Sequence, residues 1–402
     1  MNGVIILGGE ANAISLARSF GRHNIPVYFR YSKNSLVKHS KFVTTIDIPY
    51  SDNTREGFEQ FLLSKASAAF YGSTLLACSD SGIEFLIKNR NELKKNYVVD
   101  IMMPKAQKIL LNKKLTYRSA TQIGVPTPQY WEFKTRNEAL NLIPKLTYPV
   151  LIKPEYTHLF YEKFGRKYLV AQNANELETH LHFFDKCNEK GILLEYIPGP
   201  DSLLCSYYTY IDNSGNPLFD FTKRIIRRYP NNMGNGCYHI TDNVKDVKNL
   251  SLILFKSIGL LGVANAEFKK DPRTGELKLI ECNARFTAAN CLLYDSGIDL
   301  PLFVYNLLNG IAIESPNSYK IGKRLWYPVD DIFSFFELHK INKITFKGWI
   351  KSIFHLQTFP YFKWNDPLPS AVNLFNIFII RFKKIPKFIK LLLSFFKIIK
   401  IS

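Results

Sequence analysis

The sequence predicts a mixed α/β fold, with a doubly wound parallel sheet first, an α+β part in the middle and a helical extension at the end. Short apolar runs alternate with helical patterns in the first quarter of the chain, as in parallel α/β domains. Strand patterns dominate the middle and include a hairpin with a glycine turn. The last fifth of the chain becomes aromatic, helical and increasingly basic.

The first domain is predicted to span 1–104. Its expected elements are strands at 3–9, 25–30 and 74–80 and helices at 11–23, 52–67 and 82–97. The first strand closes on Gly8-Gly9, but a dinucleotide fingerprint would need further glycines where Glu10 and Ala13 stand. We therefore expect a tight turn lining a substrate cleft rather than an NAD site. Asp80 is expected either in that cleft or as an N-cap of the next helix.

The middle of the chain continues with longer helices and strands. Helices are expected at 105–123, 175–187 and 250–259, and strands at 148–154, 167–172 and 191–197, with a strand–turn–strand unit at 263–283. Glycine and proline at 124–128 should end the first of these helices. The pattern changes after Gly310, where the aromatic and basic extension begins.

The composition indicates a globular protein with an anionic partner. Lysine and arginine number 53 against 34 acidic residues, a net charge of +19, and the segment from Pro367 onward contains seven basic residues and no acidic one. Such an excess suits a nucleotide, a phosphorylated substrate, a nucleic acid or a membrane. The six cysteines show neither CxxC pairs nor zinc-ligand spacing. With no signal-peptide or transmembrane pattern, we expect a cytoplasmic protein.

The strongest chemical signal is the hairpin at 263–283. Folding it about its glycine turn sets Glu267 nearly opposite Glu281, and the strand period of two puts Asn283 on the same face. Two carboxylates this close repel unless a cation lies between them, and hard oxygen ligands suit Mg²⁺ or Mn²⁺. Arg285 adds a fixed cation nearby. The alternative is a solvated hairpin with scattered charges.

Two other strand ends suggest a nucleotide. Lys153 ends an apolar run, where a lysine is costly to bury without a partner and a phosphate is a natural one. The alternative is a lysine that snorkels at a strand end. Glu195 and Ile197 lie where another strand ends and could present backbone groups to an adenine edge. The alternative there is an ordinary strand-to-turn junction.

These motifs, in this order, resemble the ATP-grasp superfamily over about residues 1–315. The matching segments are Asn112-Lys113, Gly124-Val125-Pro126-Thr127-Pro128, Val150-Leu151-Ile152-Lys153-Pro154, Glu195-Tyr196-Ile197-Pro198-Gly199, Glu267 and Glu281-Cys282-Asn283-Ala284-Arg285. The chain is most similar to the carboxylate–amine ligases that include D-aspartate ligase, and it also resembles the carbamoyl-phosphate synthase large subunit and biotin carboxylase. The resemblance implies a Rossmann-like pre-ATP-grasp domain at 1–104, a small lobe at 105–190, a metal-binding lobe at 191–315 and a helical extension at 316–402.

The resemblance also implies roles for individual residues. Lys113 and Lys153 would hold ATP phosphates. Glu195 and Ile197 would meet adenine through the backbone, and Asp201 would meet the ribose. Glu267, Glu281 and Asn283 would bind two Mg²⁺ or Mn²⁺ ions. Arg285 would stabilise the transferring phosphoryl group, together with a cationic strand whose candidates are Lys223, Arg224 and Arg227. Strand parity alone does not choose among those three.

One segment departs from the family pattern. Many relatives have a glycine-rich loop where this chain has residues 155–167, which contain a single glycine and several aromatic residues. An aromatic lid with Lys163, Arg166 and Lys167 is expected to replace the glycine cradle.

The resemblance implies an ATP-dependent ligase that forms C–N bonds. A small carboxylic acid would become an acyl phosphate, and an amine would then give an amide, with a role in cell-wall or surface-polysaccharide modification. One alternative is phosphorylation of bicarbonate or carbamate, as in carbamoyl-phosphate synthase or biotin carboxylase. An alternative of another class is a basic nucleic-acid-binding protein, but no RNP, KH or zinc-finger pattern is present. A homodimer is left open.

The C-terminal tail predicts a cationic amphipathic helix that starts at Pro386. Lys387, Lys390 and Lys397 fall on one side of this helix, and its apolar residues lie broadly on the other. Such a helix suits the interface of an anionic membrane on the cytoplasmic side. The alternative is a helix whose apolar face docks on the protein's own core.

Overall fold

The computed structural model describes residues 2–30, 35–46, 55–186 and 190–382. Its helices are α1 (Ala11–Arg22), α2 (Arg55–Leu62), α3 (Asp80–Leu93), α4 (Pro104–Leu111), α5 (Lys113–Gln122), α6 (Arg136–Leu140), α7 (Thr157–Phe164), α8 (Ala174–Lys186), α9 (Lys245–Ser257), α10 (Asn290–Asp295), α11 (Leu300–Leu308), α12 (Pro328–Lys340), α13 (Phe346–Ile353) and α14 (Leu368–Phe382). Its strands are β1 (Val4–Leu7), β2 (Val27–Arg30), β3 (Thr44–Ile46), β4 (Thr74–Ala77), β5 (Val98–Val99), β6 (Tyr130–Phe133), β7 (Val150–Pro154), β8 (Leu169–Ala171), β9 (Gly191–Glu195), β10 (Leu204–Ile211), β11 (Phe221–Tyr229), β12 (Asn235–Thr241), β13 (Gly262–Lys270), β14 (Leu277–Asn283), β15 (Arg324–Trp326) and β16 (Gln357–Thr358).

The first sheet is parallel, with strand order β3-β2-β1-β4-β5, as the alternating sequence pattern predicts. Its apolar side chains pack into two cores, one on each face. The turn after β1 is tight because Gly8 has a φ of 72° and a Cβ there would lie 2.2 Å from Ser79 Oγ. Ser79 is the N-cap of α3 and accepts a hydrogen bond from the Gly82 N–H at 3.0 Å. The expectation of Asp80 as a cap is therefore wrong, and Asp80 is the first residue of the helix.

The single helix expected at 105–123 is two helices, α4 and α5, that meet at Asn112. The Asn112 side chain accepts a hydrogen bond from the Leu115 N–H at 3.0 Å and so begins the second helix. This break places Lys113 at the first position of α5, where its side chain is buried. The strands β3 and β5 are not among the predicted elements, because two or three residues are too few to show a strand pattern in the sequence.

The second sheet has four strands in the order β6-β9-β7-β8 and is antiparallel. Its core side chains pack against α8 and the aromatic ring of Phe160 on α7. The predicted domain boundary at residue 190 assigns β9 to the next lobe, yet β9 pairs with β6 and β7 in this sheet. The lid segment expected at 155–167 is largely the helix α7, which ends at Gly165 with a φ of 64°.

The third sheet has seven strands in the order β14-β13-β10-β11-β12-β15-β16. The hairpin of β13 and β14 forms as predicted, with Glu267 paired to Glu281 and Asn265 paired to Asn283. A β-bulge beside Glu267 turns both Leu279 and Cys282 into the apolar core below the sheet. Cys282 therefore points away from the face that carries Glu281.

The extension predicted to be helical also contributes strands, because β15 and β16 lie at the edge of the third sheet. A buried ion pair between Arg227 and Asp331 fixes α12 to β11, with Nε–Oδ1 at 2.6 Å. A second buried pair, Arg18 to Asp366 at 2.8 Å, anchors the start of α14 to α1. The amphipathic helix predicted from Pro386 lies outside the described residues. No helix in the described ranges has the length and apolarity required to cross a bilayer.

Candidate active site

A straight row of four side chains crosses the third sheet. Lys223 on β11 pairs with Ser206 on β10, Ser206 pairs with Glu267 on β13, and Glu267 pairs with Glu281 on β14. Directly paired residues share one face of an antiparallel sheet. The predicted carboxylate pair and one predicted cation therefore lie on the same surface.

This register distinguishes among the three candidates for the cationic strand. Arg224 follows Lys223 and so points to the opposite face, where it forms an ion pair with Asp242. The register of β11 shifts between Ile225 and Arg227. That shift turns Arg227 away from the Lys223 face as well, into its buried pair with Asp331.

Lys223 is a buried cation held by neutral groups. Its side chain has 2% of its surface exposed, and Nζ lies 3.2 Å from Ser206 Oγ and 3.4 Å from His239 Nδ1. No carboxylate in the described ranges lies within ion-pair distance of Nζ. Burial lowers the pKa of His239 to about 3, and the Lys223 charge adds to the effect, so the imidazole stays neutral. A buried ammonium without a counter-ion is costly, which favours an anionic ligand here.

Two further lysines approach Glu281 from other elements. Lys113 Nζ donates to Glu281 Oε1 at 2.8 Å. Burial alone would raise the pKa of Glu281, but Lys113 and Lys153 overcome this and hold it at about 2. Lys153 on β7 lies 3.5 Å from the Tyr117 hydroxyl, which donates to the Ile280 carbonyl at 2.7 Å. Burial and the nearby Lys113 charge lower the pKa of Lys153 to about 8.

The oxygen atoms of Glu267, Glu281 and Asn283 fit a hard divalent cation. The side chain of Glu267 makes no hydrogen bond or ion pair with the described residues, although its main chain belongs to the sheet. Asn283 donates its Nδ2 to Asn265 Oδ1 at 3.1 Å, so its own Oδ1 remains for a cation. Within the described ranges no three His, Cys, Asp or Glu side chains gather as metal ligands. The donor set is thus two carboxylates and one amide oxygen, which suits Mg²⁺ or Mn²⁺ completed by phosphate oxygens.

Arg285 reaches from the end of β14 to the first domain. Its Nε donates to Asp80 Oδ1 at the start of α3. Burial would raise the pKa of Asp80, but the Arg285 charge and hydrogen bond lower it to about 2. Asp80, Lys113 and Asn283 line one pocket together with Thr157 at the start of α7. Of the two positions expected for Asp80, in the cleft or as a helix N-cap, the structure therefore shows the cleft.

The predicted adenine segment begins at the end of β9, an inner strand of the second sheet. The buried Ile197 accepts a hydrogen bond from Lys269 Nζ at its carbonyl oxygen, at 2.9 Å, and its N–H has no partner in the described residues. The Glu195 carboxylate pairs with Arg273 and Lys278. A backbone contact with adenine through Ile197 stays a prediction, and its free N–H is available for it.

Asp201 is engaged elsewhere in the fold. Its carboxylate accepts from Arg228 Nε at 2.7 Å and from the Asn232 N–H at 3.3 Å. These bonds hold the turn between β11 and β12. A ribose contact by Asp201 stays a prediction, and it would compete with these bonds.

Helix α7 contacts both neighbouring domains. Its His158 Nε2 lies 3.3 Å from Glu84 Oε2 on α3. Just beyond the helix, Lys167 Nζ donates to Asn235 Oδ1 on β12 at 3.0 Å. The expected aromatic lid is thus a short helix between the first domain and the third sheet, and its Lys167 contributes to lowering the pKa of Glu281.

Sequence reasoning missed Tyr117 and His239. Tyr117 fills the space between Lys153 and β14, and His239 receives the hydrogen bond of Lys223. Neither stands in a recognisable motif. In the sequence, each is only a ring with one polar atom. That polar atom indicates a role only once the neighbouring strands, which supply its hydrogen-bond partner, are known.

The comparisons with known proteins agree with this geometry. The chain is 25% identical over 324 residues to the D-aspartate ligase of Enterococcus faecium (strain Aus0004), which covers 75% of each sequence. N5-carboxyaminoimidazole ribonucleotide synthetase in its ADP complex superimposes with a TM-score of 0.61 at 13% identity, over 80% of each chain. The L-amino acid ligase of Bacillus licheniformis gives a TM-score of 0.55 at 19% identity, over 78% of this chain and 75% of that one. No family model matches the chain.

These similarities confirm the predicted ATP-grasp fold and the resemblance to carboxylate–amine ligases. They also confirm the expectation of an ATP-dependent ligase that forms C–N bonds. The assignment of individual site residues stays a prediction that the geometry above makes specific.

Proposed function

We propose that this ATP-dependent carboxylate–amine ligase, with its ATP-grasp fold, forms an amide through an acyl phosphate. A carboxylate oxygen attacks the γ-phosphorus of ATP, the bond to the β-phosphate oxygen breaks, and ADP leaves. An amine then attacks the acyl carbon, the bond to the phosphate oxygen breaks, and phosphate and a proton are released. No side-chain nucleophile is required.

One observation carries the proposal: the row Lys223–Ser206–Glu267–Glu281, with Lys113 and Lys153 beside its acidic end. Charges of opposite sign lie at the two ends of one flat surface. A polyphosphate with its cations fits the acidic end, and the anion formed in the reaction fits Lys223. Arg224 and Arg227 face away from the surface that carries Lys223. We assign them a structural role, through their ion pairs with Asp242 and Asp331.

Each residue then has a separate task. Lys113 and Lys153 hold phosphate oxygens, and Glu267, Glu281 and Asn283 hold divalent cations. Bound cations would neutralise the phosphate charge as the bond to γ-phosphorus changes. Lys223, desolvated and kept in place by Ser206 and His239, binds the carboxylate or the new acyl phosphate.

Arg285 and α7 complete the cleft. Arg285 is oriented by Asp80 so that the guanidinium lies between the first domain and the phosphate site. The bulky side chains of α7 exclude water from the acyl phosphate, a task that flexible glycine loops perform elsewhere. The single glycine in this segment, Gly165, ends the helix and leaves its body rigid.

The acid is expected to be a small amino acid or a related carboxylate. D-Aspartate is the first compound to test, because the relative that matches the chain is named for it. A role in cell-wall or surface-polysaccharide modification, a cytoplasmic location and a homodimer stay predictions. So does the contact of the basic tail with a membrane.

The experiment is a positional isotope assay. The protein is incubated with ATP, Mg²⁺, an amine and a panel of acids whose carboxylate carries ¹⁸O. An acyl phosphate transfers one ¹⁸O to inorganic phosphate, and hydroxylamine in place of the amine yields a hydroxamate. Bicarbonate is tested in place of the acid in a separate reaction. Phosphate formed only in that reaction would favour phosphorylation of bicarbonate, the alternative that resembles biotin carboxylase. A stable phosphoenzyme would contradict the acyl-phosphate route.

A pair of variants tests the site itself. Lys223→Gln should abolish isotope transfer, because the buried cation for the anion is gone. Arg224→Gln is the matched control, since it removes the next charge on the same strand but on the opposite face. If both variants lose activity to the same extent, the assignment of the face is wrong.

A further inference from the structure

Helix α14 presents large apolar side chains to solvent, which is unusual for a surface helix. Leu368, Leu374, Phe375, Phe378 and Ile379 are between 41% and 62% exposed, and the polar Asn376 is exposed beside them. At 100° per residue, the apolar positions with Ala371 cover an arc of about 140° that contains no charged residue. The inward side carries the polar Asn373 and also Val372, which packs against the core.

The start of this helix is anchored by Asp366, which lies two residues before it. Asp366, which is 1% exposed, pairs with Arg18 at 2.8 Å, accepts from Ser40 Oγ at 2.9 Å and accepts from the Lys41 N–H at 3.0 Å. These bonds tie the start of α14 to the first domain. The apolar arc is thus presented outward by a buried network, and Trp364, which is 90% exposed, lies directly before it.

The sequence before and after this helix carries charge of almost one sign. From Leu338 to Ser402 the sequence has twelve lysines and arginines and one acidic residue, so this segment carries +11 of the total +19. The one acid is Asp366, which is buried and neutralised by Arg18. The chain that follows α14 continues with Lys383, Lys384, Lys387 and Lys390.

We propose that the outward apolar face of α14 inserts into the interface of an anionic lipid bilayer. Apolar side chains enter the headgroup region, and the surrounding lysines and arginines meet anionic headgroups. A second copy of this chain is disfavoured because two surfaces of the same positive charge would face each other. Nucleic acid is disfavoured because three of the five exposed apolar residues, Leu368, Leu374 and Ile379, offer it neither stacking nor hydrogen bonds. The proposal does not depend on the ligase reaction.

The test uses the full chain and co-sedimentation with vesicles. One set contains phosphatidylglycerol and phosphatidylcholine in equal amounts, and the other contains phosphatidylcholine alone. We expect binding to the anionic set only, weakened by salt. The double variant Leu374→Gln/Phe375→Gln should lower the partition coefficient at least about tenfold, since two large apolar side chains no longer enter the interface.

A matched control removes exposed apolar groups elsewhere. Leu63→Gln/Ile253→Gln changes two side chains that are 40% and 50% exposed, outside the extension. This variant should bind vesicles as the unchanged protein does. Equal loss in both variants, or wild-type binding by the α14 variant, would overturn the proposal. A dimer of the unchanged protein in sedimentation velocity would also overturn the proposal if the α14 variant were monomeric and the control variant were not. The face would then join two copies of the chain.

Discussion

The ion pair between Arg285 and Asp80 links the first domain to the end of the hairpin, and its strength can be worked from the structure. The side chains are 20% and 26% exposed, so solvent screens the pair only in part. The Arg285 charge overcomes burial and holds the pKa of Asp80 at about 2, against an ordinary value of 3.8. That difference corresponds to about 2.5 kcal/mol of stabilisation at neutral pH.

The perturbation is a double-mutant cycle with Asp80→Asn, Arg285→Gln and both together. The chain has several cores, so a single unfolding transition would not report this pair. Hydrogen exchange followed by mass spectrometry measures the opening of α3 directly. The net stabilisation of the Asp80 carboxylate, about 2.5 kcal/mol, predicts that amides at the start of α3 exchange up to about 60-fold faster in Asp80→Asn.

The same helix supplies the control. Lys88 on α3 pairs with Glu59 on α2 at 2.8 Å, but the lysine is 54% exposed. Such a surface pair contributes about 0.2–1 kcal/mol. A coupling between Asp80 and Arg285 no larger than that of the control pair would refute the reasoning from burial.

The sign of the pH dependence follows from the same values. A carboxylate with a lowered pKa stabilises the folded state above its unfolded pKa, and this contribution is lost as the pH falls from about 4 towards 2. The coupling should therefore be unchanged between pH 8 and pH 6. A coupling that declines within that range would contradict the assignment of the pH dependence to Asp80.

The remaining predictions concern the phosphate site. Glu281→Gln should keep the fold, because the isosteric amide oxygen can still accept the hydrogen bond of Lys113. It should lower ATP turnover at least about 1000-fold, and turnover within a few-fold of wild type would contradict the metal assignment. The dissociation constant for ATP should rise by up to about tenfold per pH unit above pH 8, because Lys153 loses its charge there. Lys153→Arg should remove this pH dependence, and calorimetric titrations measure it. Arg227→Met should destabilise the attachment of α12 by about 3–5 kcal/mol, because it leaves the buried Asp331 without its ion-pair partner. Unchanged hydrogen exchange in α12 would show that the pair does not hold this helix.

Local patterns in the sequence determined a large part of this molecule. The period of two and the glycine turn placed Glu267 opposite Glu281, because a hairpin joins strands that are neighbours in the chain. The alternation of strands and helices likewise predicted the parallel sheet. Both features depend on residues that are close together along the chain. For such residues, the periodicity of apolar and polar side chains is enough to predict the pairing.

Only the tertiary structure decided which cation faces that carboxylate pair. Lys223 and Arg227 have the same parity, yet the register shift after Ile225 turns them to opposite faces of the sheet. Ser206, which holds Lys223, lies on the preceding strand, but Asp331, which holds Arg227, lies 104 residues further along the chain. A single extra residue in a strand reverses every side chain beyond it, and the packing of remote elements determines where that residue is accommodated.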